Sequence, residues 1–82
     1  MAKILVIDDE AEIREYFVRL LTGLGYEVET AGDSSTGLAC AAGADVDLIV
    51  SDLNMPGRPN GLDLIKMLRE KHPACPLVVI SG

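Results

Sequence analysis

The chain has 82 residues, 49% of them hydrophobic, so it forms one domain at most and carries enough apolar material to fill a core, which excludes disorder. Its formal net charge of -6 and its pI of about 4.5 argue against nonspecific nucleic-acid binding, which rests on basic residues neutralising phosphates. No apolar run approaches the ~20 residues of a membrane span, and Lys3 leads straight into an apolar segment with no signal-peptide cleavage site.

Lys3 to Ile7 is apolar and branched, as suits a strand covered on both faces, and it ends in Asp8-Asp9. From Glu10 the period changes. Ile13, Phe17, Leu20, Leu21 and Leu24 recur at helical spacing, while Glu12, Arg14, Glu15 and Arg19 fall on the other side. Asp8 or Asp9 can cap this helix, and Gly23 or Gly25 can end it in the left-handed conformation. Tyr26 to Thr30 alternates, like a strand with one partly wet face.

Asp33 and Ser34 supply a turn and capping groups. Thr36 to Ala44 then reads as a small-residue helix anchored by Leu38 and weakened by Gly37 and Gly43, roughly 1 kcal/mol each relative to Ala. Leu48-Ile49-Val50 is a third apolar run, ending in Ser51-Asp52 before Pro56 and Gly57 break regular structure. Asn60 can cap a third helix with Asp63 in its first turn. Leu62, Ile65 and Leu68 form its expected buried side, with Met67 at the margin. Pro73 and Pro76 end it, and Leu77 to Ile80 reads as another buried strand before Ser81 and Gly82.

The order is β-α-β-α-β-α-β with short connections. Right-handed crossovers make this an α/β, doubly wound parallel sheet with helices on both faces. In such sheets ligands bind beyond the carboxyl ends of the strands. Asp8, Asp9, Asp52 and Ser81 all fall there. A lone Asp after a strand is ordinarily a helix cap, and a lone Ser there a turn residue; it is the combination that points to a site.

Grouped carboxylates repel one another, so a cation is expected among them. Oxygen ligands without His or Cys favour a hard ion, Mg²⁺ or another divalent cation, which would also neutralise an incoming phosphoryl group. Asp52 is then a plausible nucleophile, and Ser81 could hydrogen-bond a phosphoryl oxygen. Other classes lack their signatures. The first loop has no glycine for a dinucleotide fingerprint or P-loop, no EF-hand loop occurs, and the single His72 supports no catalytic triad. Cys40 and Cys75 form no C-x-x-C pair and read as small hydrophobes in a reducing, cytoplasmic compartment.

Lys3-Ile4-Leu5-Val6-Ile7-Asp8-Asp9-Glu10, Asp47 through Gly57, Asn60-Gly61-Leu62-Asp63-Leu64 and Pro76 through Gly82 together resemble the receiver domain of two-component response regulators. The resemblance covers the whole chain as one domain, 1–82. It implies a flavodoxin-like sheet of strand order 2-1-3-4. It implies that Asp52 is the phosphoacceptor, that Asp9 binds Mg²⁺ directly, that Asp8 assists through water, and that the backbone carbonyl of Asn54 completes the protein's share of the metal shell. Ser81 stands at the switch hydroxyl.

The family's fourth helix, fifth strand and fifth helix have no counterpart in these 82 residues, and neither do the fifth-strand lysine and the aromatic switch position; the expected fold is incomplete. The expected partner is a sensor histidine kinase or a phosphotransfer protein, and the domain is expected to be a self-phosphorylating acceptor, not a turnover enzyme. The rival expectation is a receiver-like module kept for dimerisation or scaffolding without phosphorylation. An open Leu77–Ile80 edge would be a template for homo-oligomer formation. Neither direct nucleic-acid binding nor membrane association is expected.

Overall fold

The computed structural model describes residues 2–43, 45–55 and 59–80. Seven elements alternate as expected: β1 (Lys3–Ile7), α1 (Ala11–Gly23), β2 (Glu27–Ala31), α2 (Ser34–Gly43), β3 (Leu48–Asp52), α3 (Gly61–Lys71) and β4 (Leu77–Ile80). The four strands are parallel in the order β2-β1-β3-β4. That is the order the resemblance implied.

Successive strand residues face opposite sides of the sheet, and the two sides bury separate cores. Leu5, Ile7 and Ile49 meet Ala41 of α2 and Leu64 and Leu68 of α3 on one face. Ile4, Val6 and Val50 meet Phe17 and Leu21 of α1 on the other. The continuous apolar runs of β1 and β3 follow from this double coverage.

Four local expectations need correction. Neither Asp8 nor Asp9 caps α1: Glu10 holds the N-cap position with no side-chain cap bond, and the Asp8 carboxylate accepts from the Glu10 N–H instead. Leu20 and Leu24, expected on the buried side of α1, are 44% and 66% exposed, and Ile13, Phe17 and Leu21 form its covered side. In α3 Leu62 is 54% exposed, whereas Leu64, two residues on, is fully buried. The strand at Leu77–Ile80 is not fully buried either: Val78 and Val79 are half-exposed, because β4 is the outermost strand among the described residues.

The helix ends are better anticipated. The α1 chain reverses at Gly25, whose φ of +93° is in the left-handed region that favours glycine. Gly25 N–H donates to the Thr22 carbonyl and Tyr26 N–H to that of Leu21, both at 3.0 Å, which satisfies the last turn as a Schellman motif. Asn60 caps α3 as expected, its side chain accepting from Asp63 N–H at 3.0 Å. Helix α2 begins two residues earlier than its pattern indicated, because Asp33 caps it by accepting from Thr36 N–H at 2.7 Å. Gly37 costs that helix propensity for a reason: a Cβ there would lie 2.7 Å from Ile7 Cδ1, so glycine lets α2 settle against β1.

Candidate functional site

Strands β1 and β3 are neighbours in parallel register, with Ile7 opposite Ser51, so the residues just past them meet at one edge of the sheet. Asp8 is buried, Asp52 half-buried and Asp9 exposed. One carboxylate oxygen from each lies within 4.8 Å of the others. The three border an open cleft of about 570 Å³, together with Glu10, Ile13, Tyr16, Phe17, Asn54 and Ile80.

The turns after both strands are shaped by their own aspartates. Asp8 Oδ1 accepts from Glu10 N–H and Asp52 Oδ1 from Asn54 N–H, each at 2.9 Å. A side-chain oxygen that binds the N–H two residues on forms an Asx turn, and here it also fixes the carboxylate's direction. The main chain is pinned by bonds across the sheet: Asp8 N–H donates to the Ala31 carbonyl at 3.0 Å and Leu53 N–H to that of Ile80 at 2.9 Å. Arg14 Nη1 donates to the Asp8 carbonyl at 2.7 Å.

Burial pushes the Asp8 carboxyl above the usual aspartate value of 3.8. The negative charges of Asp52 and Asp9 push the same way, against the pull of the Glu10 N–H. The cluster therefore holds negative charge at a cost that a cation would remove. A set of three carboxylates, oxygen donors only, on a water-accessible cleft fits Mg²⁺ or another hard divalent ion.

Of the residues singled out from the sequence, Asp8, Asp9 and Asp52 come together and Asn54 joins them on the cleft. Ser81 lies outside the described residues, as do Pro56, Gly57 and Arg58; its neighbour Ile80 lines the cleft. The sequence reading missed the apolar rim of Ile13, Tyr16 and Phe17. Ile13 and Phe17 carried a core signal, and nothing local to α1 shows that its first turns border the acids. Arg14 was assigned to the solvent side, yet it is half-buried against the site.

Residues 4–82 match the family model of the response regulator receiver domain. The chain belongs to that family. Among similar proteins, the DNA-binding transcriptional regulator NtrC of Azospirillum brasilense is 41% identical over 81 residues, which are 99% of this chain and 17% of NtrC. The transcriptional regulatory protein CusR of Escherichia coli is 33% identical over 80 residues, 98% of this chain and 35% of CusR. This receiver domain thus spans well under half the length of the curated relatives it matches.

Solved receiver structures carry the same fold. Chemotaxis response regulator CheY4 of Vibrio cholerae superposes with a TM-score of 0.89 at 40% identity, over 96% of this chain and 67% of that one. Response regulator TrrA of Thermotoga maritima, solved in complex with Mg²⁺-BeF, gives 0.92 at 33% identity over 99% of this chain and 70% of TrrA. The fold is flavodoxin-like, and the domain is a module of two-component signalling, whose receiver domains work with histidine kinases or phosphotransfer proteins. No described helix is long and apolar enough to cross a membrane.

Proposed function

We propose that this receiver domain is a phosphoacceptor: Asp52 takes a phosphoryl group from the phosphohistidine of a sensor kinase or phosphotransfer protein, in a reaction that requires Mg²⁺ or another divalent ion. The observation that carries this reading is the convergence of the Asp8, Asp9 and Asp52 carboxylates within 4.8 Å on a solvent-open cleft. Such a cluster raises its own electrostatic cost, which a scaffold without phosphorylation would have no use for. The phosphoacceptor reading is therefore favoured over a purely structural module.

The roles follow from position. Asn54 N–H holds Asp52 Oδ1, which sets the carboxylate's rotation and leaves its other oxygen to attack phosphorus. The new oxygen–phosphorus bond makes an acyl phosphate on Asp52 as the phosphorus–nitrogen bond of the donor breaks and its imidazole leaves. Asp9, exposed, would hold the cation directly, Asp8 would support it through water, and the Asn54 carbonyl would complete the protein's ligands. Bound there, the ion would supply charge neutralisation between the phosphoryl oxygens and the carboxylates. Ser81, one residue past Ile80 at the cleft, is assigned to hydrogen-bond the transferred group. The domain accepts one phosphoryl group on itself and is not a turnover enzyme.

Incubation of the full-length protein with acetyl phosphate and Mg²⁺, read by intact mass, tests this. The expected result is the gain of one phosphoryl group that is absent without Mg²⁺ and absent in Asp52→Ala. No gain in the wild type, or a gain that persists in Asp52→Ala, would sink the proposal.

A further inference from the structure

The Asp8 carbonyl lies one residue beyond the last registered pairs of β1, Ile7 with Ala31 and Ile7 with Ser51. Asp8 is only 4% exposed, so water does not readily serve that carbonyl, and a buried main-chain oxygen needs a donor. Arg14 Nη1 supplies it at 2.7 Å. With the Asp8 N–H bound to the Ala31 carbonyl, the main chain of Asp8 is held from two sides.

The same guanidinium rests against the turn between β2 and α2. A Cβ on Gly32 would lie 3.2 Å from Arg14 Nη1, 3.5 Å from Cζ and 3.8 Å from Nη2. One side chain thus ties α1, the end of β1 and the β2–α2 turn together directly behind the acidic pair. Its described bond goes to the main chain of the site and not to a carboxylate, so it acts through geometry.

We infer that Arg14 is a positioning residue of the cation site: by fixing the Asp8 main chain it aims the Asp8 and Asp9 carboxylates into the cleft. The inference rests on the reading of the cluster as a cation site. Partners that orient metal ligands from behind are commonly worth about 10–100-fold in metal affinity. The guanidinium is a planar fork that can bond and pack at once. A lysine ammonium is a hydrated point charge, which preserves the charge without the fit.

The test is calorimetric titration of the full-length protein with MgCl₂, alongside phosphorylation by acetyl phosphate at limiting and saturating Mg²⁺. Arg14→Ala is expected to weaken Mg²⁺ binding by about 10–100-fold, while the phosphorylation rate at saturating Mg²⁺ stays near the wild-type rate. Gly32→Val, which crowds the guanidinium without touching an acid, is expected to weaken binding in the same direction and to add nothing on top of Arg14→Ala. It also serves if Arg14→Ala fails to fold. Leu68→Ala, a destabilising change in the core far from the acids, is expected to leave affinity unchanged, which separates positioning from general stability.

Wild-type affinity in Arg14→Ala, additive effects of the two variants, or full restoration by Arg14→Lys would overturn the inference while leaving the cation site standing. A wild type that binds no Mg²⁺ would overturn both.

Discussion

The carbonyl oxygen of Leu53 occupies the space where any residue but glycine at position 61 would place its first side-chain carbon: a Cβ on Gly61 would lie 1.6 Å from that oxygen and 2.4 Å from the carbonyl carbon. The first turn of α3 is thereby seated on the loop that follows Asp52, and the contact constrains how the helix can turn about its axis. Both partners are backbone, so neither can swing aside as a side chain would.

Gly61→Ala should therefore cost about 1–3 kcal/mol or more and should slow phosphorylation of Asp52, because Leu53 sits between Asp52 and Asn54. Gly37→Ala makes a useful contrast. Its Cβ would meet the Ile7 side chain, which can shift, and the helix gains up to about 1 kcal/mol in propensity. Urea unfolding of both variants checks the pair: Gly61→Ala is expected to be the more destabilised, and equal midpoints would show that the Leu53 loop gives way easily.

Asp8 makes the metal-free domain sensitive to pH. Its carboxyl titrates above 3.8 in the folded state, so between that value and its raised folded pKa the folded form binds more protons than the unfolded form. By linkage, Asp8's contribution to stability is fully present below 3.8 and is lost as pH rises through the folded pKa. Asp8→Asn should therefore be more stable than the wild type at pH 7 without Mg²⁺, and the gap should close below pH 3.8. With Mg²⁺ at 100 times Kd the wild type gains about 2.7 kcal/mol, most of which the variant should lack. Thermal melts with and without Mg²⁺ across the pH range read both effects. A variant less stable than the wild type at neutral pH in the absence of metal would contradict the account.

The caps of α2 and α3 are chemically different and should separate by pH. Asn60→Ala removes a neutral cap and should cost about 1 kcal/mol at any pH. Asp33 titrates below 3.8, held down by the Thr36 N–H and the hydroxyls of Thr36 and Ser35. Its contribution is present above 3.8 and is lost as pH falls through that lowered folded pKa. Asp33→Asn should keep the cap geometry and lose this acid dependence. Stability curves at pH 7 and in the acid range decide, and a pH-independent difference between wild type and Asp33→Asn would rule the explanation out.

Much of the fold was legible because periodicity is local. The doubly covered strands β1 and β3, the amphipathic α1 and α3 and the cap at Asn60 were each anticipated from neighbouring residues, and the left-handed end of α1 was narrowed to Gly23 or Gly25, of which the structure uses Gly25. Burial of individual residues was less so. Leu62 was expected inside and Leu64 was left out of the expected buried side, because a pattern of apolar residues gives a helical stripe but not its rotation, which the close approach of Gly61 to Leu53 helps to set. Leu20 and Leu24 belong to the apolar stripe of α1, yet no described element covers them.

The site divides along the same line. From the sequence alone came three carboxylates at the ends of two apolar runs, an oxygen-only ligand set and, through resemblance, the roles of Asp52, Asp9, Asp8, Asn54 and Ser81. The resemblance also implied that β1 and β3 are neighbours; the tertiary structure decided that their ends bring the three carboxylates within 4.8 Å, and that Asp8 is the buried member whose protonation is disturbed. It also turned Arg14 from a solvent-facing charge into the donor that holds the Asp8 main chain. The reason is physical: residue type and spacing specify what a segment can bury, whereas strand adjacency and main-chain contacts are set by long-range packing, which no single segment encodes.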